Sequence, residues 1–294
     1  MIKSSCKSPV FFKQTTRNRF TFILIMLCFW QLSYAQDYVR RTFKDTRIIN
    51  TQSVETLQQR KLDFRVVHRF GDLKRGWTTL YGLESSQDIS IGVDYGVTND
   101  LTIGLHRTKG AGPLSQLVNT FAKYRILKQA EGGSPISLAA LGIWTSSTQQ
   151  RDEENSTVLN GFSKFTHRFV YGSQLLIARK FSDKFSLQIT PSLIHRNVVA
   201  IGQNNQTFSM GGAFRFQLTK VMGLIVDASV PIGDTQAETA LGVGLEIDTG
   251  GHVFQINFTN AKAIFETDYI PNNRDTWGNG EVGLGFTISR IFNL

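Results

Sequence analysis

From residue 61 to the C-terminus, apolar and polar positions alternate with a period of two. Leu62, Phe64, Val66 and Phe70 are interleaved with Asp63, Arg65 and Arg69. Ile89, Ile91, Val93, Tyr95 and Val97 are interleaved with Ser90, Gly92, Asp94 and Gly96, and the pattern continues through Leu101, Ile103 and Leu105. It returns at Phe254, Ile256 and Phe258, and again at Val282, Leu284, Phe286 and Ile288. Successive side chains of a strand point to opposite faces, so each segment carries one apolar and one polar face. The pattern predicts about twelve strands, at 61–70, 87–97, 101–109, 116–127, 136–145, 165–181, 185–195, 207–218, 223–231, 239–248, 252–260 and 281–292. Several have the length with which a tilted strand crosses a bilayer. The register is not readable in the fourth, fifth and sixth strands. Pro191 in the seventh removes a ladder donor and predicts a bulge or a strand end.

The connections sort by length. Those at 98–100, 182–184, 219–222 and 249–251 are short and follow even-numbered strands, while 128–135 is intermediate. Longer ones follow odd-numbered strands, the largest being 71–86, 146–164 and 261–280. An all-β, antiparallel up-and-down transmembrane β-barrel has this rhythm, with short periplasmic turns and long outer loops. An even strand count then puts both termini in the periplasm. A soluble β-sandwich or a lipocalin-like barrel would alternate too, with its apolar face turned inward. Two features favour the membrane. The polar faces are rich in small residues such as Gly92, Gly96, Gly104, Gly242, Gly244, Gly283 and Gly285, which suit a crowded concave interior. The strands end in aromatics, among them Tyr95, Tyr124, Phe165, Phe169, Phe181, Phe185, Phe208, Phe258 and Phe292, as the interfacial girdles of a barrel do.

The N-terminus changes the compartment. Lys3, Lys7, Lys13, Arg17 and Arg19 precede an apolar run at 20–32, and Ser33-Tyr34-Ala35 follows it. This is the layout of a cleaved signal peptide over residues 1–35, and the apolar run is short for a membrane span. Cys28 lacks the small preceding residue of a lipobox. Loss of the leader removes both cysteines, Cys6 and Cys28, and with them any disulfide or thiolate chemistry. It also lowers the formal charge from +9 to +4, so no nucleic-acid partner is expected. Residues 61–294 form the expected barrel. Residues 36–60 are polar, basic and aperiodic. They fit a periplasmic tail, a plug in the lumen, or an extra pairing segment around Thr46 to Asn50.

The runs Ser53-Val54-Glu55-Thr56-Leu57, Leu62-Asp63-Phe64-Arg65 and His68-Arg69-Phe70-Gly71 resemble an uncharacterised outer-membrane β-barrel family of Bacteroidota, domain of unknown function 5777. So do Tyr95-Gly96-Val97-Thr98 and the run from Lys123 to Gln129. The similarity covers essentially the mature chain. It implies a Gram-negative outer-membrane barrel, and it carries over no substrate and no catalytic residue.

Chemistry-bearing motifs are few. Gly242/Gly244 and Gly283/Gly285 sit inside alternating strands, where barrel packing explains them. His68, His106, His167, His195 and His252 lack metal-ligand spacing, so neither a metal nor a cofactor is expected. His106 with Ser90 is a conceivable cross-strand pair for a lipid-active enzyme, but chance pairs are numerous, and no catalytic residue is assigned. Asn272-Asn273-Arg274-Asp275 reads as a polar surface loop rather than a cation site.

The polar face is the main constellation. With apolar side chains toward lipid, the lumen receives Asp63, Arg65, Arg69, Asp94, His106, Arg215, Asp227 and Glu246, the candidate lumen-lining residues, together with Lys123, Arg125, Arg168 and Glu281. Opposed charges in a narrow barrel should pair and close much of it, since isolated buried charges are costly. They either brace the wall or line a path for a small polar solute. The reading is thus a monomeric barrel in contact with outer-membrane lipid, serving as a narrow channel or binding barrel for a small solute. The alternative is a structural or adhesive barrel whose loops bind a partner.

Overall fold

The structure, a computed structural model, describes Val39 and residues 41–152, 159–233 and 235–294. The leader expected at residues 1–35 lies outside the described residues. The strands are β1 (Lys61–Asp72), β2 (Ser86–Gly96), β3 (Leu101–Thr108), β4 (Leu117–Leu127), β5 (Ser137–Ser147), β6 (Phe169–Lys180), β7 (Phe185–Arg196), β8 (Gln206–Gln217), β9 (Met222–Ile232), β10 (Ala240–Asp248), β11 (His252–Thr259) and β12 (Gly283–Asn293). Each pairs with its neighbours in sequence, and β12 returns to β1, giving a closed antiparallel barrel. The closing register runs from Lys61↔Asn293 through Val66↔Ile288 to Arg69↔Gly285.

Two local expectations change. Residues Phe165–Arg168, expected to open the sixth strand, form a 3-10 turn instead. Arg168 there donates to the carbonyls of Ser147 and Gln149 and stacks over Phe162, so the chain joins the ladder only at Phe169. Pro191 makes neither a bulge nor an end. It stays paired with Met210 of β8, and on the β6 side the rungs between Gln174↔Ser192 and Ile177↔Ile189 are missing with no change of register. The missing N–H costs rungs on one side only.

The outer face is apolar. Ile91, Leu105, Ile189 and Ile256 are each about half exposed in mid-strand. Exposed aromatics gather at both strand ends: Tyr124, Phe181, Phe216 and Phe292 at the turn end, and Trp144, Phe165, Phe208 and Phe258 at the loop end. A soluble barrel would present the polar face here, so that alternative is overturned by the direction of the side chains. His68 belongs to the outer face, stacked on Phe286 beside Phe70.

The face assignment can be tested by substitution. Ile91→Arg or Ile256→Arg puts a charge near the bilayer midplane, which costs roughly 2–4 kcal/mol. Gly92→Ala acts inward, since its Cβ would stand 2.3 Å from the His106 ring. We expect both arginine variants to lose heat-modifiable mobility on gels. The alanine variant should assemble with a urea midpoint lowered by overpacking. Equal assembly of all three would show the faces to be wrongly assigned.

The interior is filled by chain. Thr42, Phe43, Asp45 to Val54 and Leu57 are buried. Within that stretch Ile48 N–H bonds Thr51 O and Ser53 N–H bonds Thr46 O, closing a tight hairpin. From the loop end, the connection between β11 and β12 folds inward rather than out. It carries the helix α1 (Glu266–Asn272), whose residues Glu266 to Pro271 are buried. The reading of Asn272 to Asp275 as a polar surface segment is therefore corrected in part: Asn273 is buried and Asp275 pairs with Lys262, while Arg274 is exposed.

Phe43, Ile48, Ile49, Val54, Ile264 and Phe265 pack on inward-facing Phe121, Leu141, Ile143, Leu176 and Ile225 of the wall. Strands β4 to β6 are apolar on both faces because their inner face meets packed chain. A strand buried on two sides loses its alternation, which is why their register was unreadable.

Candidate functional site

The hairpin at 46–53 sits against polar groups of the wall. Arg65 donates to both oxygens of Asp45, at 2.6 and 2.8 Å, and to Asp63 at 2.6 Å; Ser289 Oγ holds the other oxygen of Asp63. Arg69 donates to Asn257 Oδ1, Ile49 O and Asn50 Oδ1. Asp227 accepts the backbone N–H groups of Ile49, Asn50 and Thr51 at 3.0, 2.6 and 3.0 Å, and Asn50 Nδ2 at 2.8 Å. Successive N–H groups of a tight turn make a concave anion site, and here the protein's own carboxylate fills it. Lys123 donates only to neutral oxygens of the segment: Thr46 O, Gln52 Oε1 and Ser53 O. Gln188 bonds Val54 N–H and Gln52 O in strand-like fashion.

Arg47 joins the N-terminal segment to the inward loop. It pairs with Glu266 at 2.9 Å and donates to Ile264 O, while the other oxygen of Glu266 accepts Gln52 N–H. Both side chains are buried, so loss of either partner is costly.

All eight expected lumen residues are buried. Asp63, Arg65, Arg69 and Asp227 converge on the N-terminal segment. Asp94 and His106 pair apart at 2.8 Å, and Arg215 and Glu246 pair apart at 2.7 Å. Arg125, Arg168 and Glu281 do not reach the interior. Arg125 bonds Asp100 at a turn, Arg168 holds a loop, and Glu281 pairs with Lys74 at the rim. These three stand at or beyond strand ends, where alternation no longer fixes direction. Asp45, Gln188 and Glu266 were not anticipated. The apolar pairs Ile264-Phe265 and Tyr269-Ile270 inside a polar loop were the available signal for an inward fold.

Ser90 and His106 do meet. His106 Nδ1 lies 3.3 Å from Ser90 Oγ, and Nε2 lies 2.8 Å from Asp94 Oδ1. The group is buried beneath the rings of Phe121 and Phe265, facing away from lipid. Among the described residues no acidic, His or Cys cluster has the makings of a metal site.

At the loop end, three cavities surround α1. One of about 420 Å³ is bordered by Leu114, Leu117, Val170, Arg196 and Asp268. A second of about 400 Å³ holds Arg196, Arg274 and several amides. A third of about 500 Å³ lies between Lys262, Asp275 and Asn273. Burial raises the Asp268 carboxyl above its ordinary value, against the N–H groups of Ala111 and Gly112 and the Asn272 amide. For Lys262, burial works against the charge, but Asp275 and Asp72 outweigh it and hold its pKa above the usual lysine value.

No curated protein matches the chain. Among solved structures, the KdgM porin in complex with disordered oligogalacturonate is 10% identical, over 80% of this chain and 99% of that one, with a TM-score of 0.48. The NanC porin is 9% identical over 79% and 99%, with a TM-score of 0.47. An outer membrane channel from Pseudomonas putida F1 is 13% identical over 83% and 100%, with a TM-score of 0.47. At these values the likeness carries no functional argument. The model described as Membrane bound beta barrel domain (DUF5777) matches residues 43–292, and the chain belongs to that family.

Proposed function

We propose that the protein is an outer-membrane barrel closed at rest, which takes up a small solute at its loop end and admits it when the N-terminal segment yields. In this reading residues 36–60 are a plug, the loops face outward, both termini are periplasmic, and the barrel acts as a monomer. The observation that carries it is the placement of three cavities around α1, at the loop end of an interior filled by two non-covalently held segments. They are lined by a few charged and amide side chains, the groups that orient a small polar ligand. Catalysis is a poorer reading, because Ser90 and His106 are sealed under Phe265.

Planar-bilayer recording of the full chain tests the proposal. The intact barrel is expected to be closed at low voltage. Arg47→Gln, which cuts the ion pair between segment and helix without touching the wall, should give step currents. If neither conducts, passage is wrong. The scaffold reading would then replace it, favoured by the loop after β1, where Trp77 is 76% and Tyr81 51% exposed.

A further inference from the structure

The cavity of about 400 Å³ beside α1 has an unusual charge pattern. Its lining includes Arg196, Arg274, Gln203, Gln206, Gln236 and Thr207, and among the described residues no carboxylate. Arg196 is only 9% exposed. Its guanidinium donates to Asn204 O at 3.0 Å, Asn272 Oδ1 at 3.2 Å and Gln203 Oε1 at 3.5 Å, all neutral acceptors. No ion pair reaches it among the described residues. Arg274 makes no hydrogen bond or ion pair there either, and it repels Arg196 electrostatically. Asp268, the carboxylate on α1, borders the two neighbouring cavities instead and is held by the N–H groups of Ala111 and Gly112.

Of the other buried arginines, Arg47 is answered by Glu266, Arg65 by Asp45 and Asp63, and Arg215 by Glu246, while Arg69 donates only to neutral oxygens but lies within the attraction of Asp227 and Asp88. Two like charges held together, one of them buried without a counterion among the described residues, cost stability that a bound anion returns. Guanidinium groups match the planar geometry of a carboxylate. The surrounding amides and hydroxyl offer both donors and acceptors, the complement of a polyhydroxylated body.

We infer that this cavity is a binding site for a small sugar acid, with Arg196 and Arg274 holding the carboxylate and the amides of Gln203, Gln206 and Gln236 the hydroxyl groups. The inference rests on the proposed solute-binding role and names the solute class. Binding to the full-length barrel in detergent micelles tests it by calorimetry, with sodium glucuronate, glucose and inorganic phosphate as probes. Glucuronate is expected to bind saturably, glucose not at all, and phosphate more weakly than glucuronate. Arg196→Gln and Arg274→Gln should each weaken glucuronate by about tenfold or more, the usual loss for one charge-assisted contact. Arg274→Gln removes a group with no hydrogen-bond or ion-pair partner among the described residues, so it remains informative if Arg196→Gln fails to assemble. Absence of saturable glucuronate binding, insensitivity to Arg274→Gln, or equal affinity for glucose or phosphate would overturn the inference. Because binding is read without passage, such a result leaves the conductance test of the plugged channel standing on its own.

Discussion

Deleting residues 288–294 should abolish the barrel rather than weaken it. That stretch supplies the rungs Val66↔Ile288, Arg65↔Ser289, Phe64↔Arg290, Asp63↔Ile291, Leu62↔Phe292 and Lys61↔Asn293 to β1. It also supplies Phe254↔Ile288, Val253↔Ser289 and His252↔Arg290 to β11. It further removes Ser289, whose hydroxyl holds Asp63 in the buried charge group. The result is two open strand edges facing lipid, where each unpaired backbone group costs several kcal/mol and no water can answer it. A barrel has no smaller closed state to fall back on. The measurement is heat-modifiable mobility together with protease protection in membranes, and both should be lost. A chain lacking residues 36–57 is the matched control. It keeps every rung of the wall and should still close. If the C-terminal deletion assembles and the N-terminal one does not, closure is made by the N-terminal segment.

The wall was legible in the sequence because a barrel strand between lipid and a polar interior must alternate. β1, β2, β3, β11 and β12 meet that condition, and their polar faces lead to Asp63, Arg65, Arg69, Asp94 and His106. β4 to β6 do not, because their inner faces pack against Phe43, Ile48 and Phe265. The crowded interior was legible too, but not its cause. A Cβ at Gly242 would stand 2.8 Å from Ile49, and one at Gly96 2.0 Å from the carbonyl oxygen of Gln58. Those glycines make room for the N-terminal segment rather than for neighbouring side chains of the wall. That segment itself has no period to read. Its shape is imposed from outside, by Asp227 on three N–H groups and by Lys123 on three oxygens. Contacts between residues 70 to 178 positions apart, made by a polar hairpin without regular structure, leave no local pattern. Glu266 was hidden for the same reason, on a short helix inside a loop.

Asp227→Ala should release the N-terminal segment while leaving the barrel closed as a wall. Asp227 is buried and meets four N–H donors of the turn at residues 49–51. Without the carboxylate, those donors stay buried with no acceptor, at about 1–3 kcal/mol each. Among the described residues the N–H groups of the turn have no other acceptor from the wall, whereas β9 keeps its backbone ladder to β8 and β10. The remaining polar holds include Arg65 on Asp45, Lys123 on the carbonyls, Arg69 on Ile49 O and Asn50, Gln188 on Val54 and Gln52, and Arg47 on Glu266, each individually of the same order as the loss. The segment is therefore expected to leave, exposing the wall's polar face to water, which can solvate those groups again. The readout is a cysteine at position 53. Ser53 is fully buried, and the only native cysteines, Cys6 and Cys28, lie in the expected leader. In the Ser53→Cys background the thiol should resist a water-soluble maleimide, and adding Asp227→Ala should make it react, alongside a rise in bilayer conductance. Retained heat-modifiable mobility would separate release of the segment from loss of the barrel. A thiol still protected in a folded Asp227→Ala barrel would show that Asp227 is not the latch. The hold would then lie with the apolar contacts of Phe43, Ile48 and Phe265.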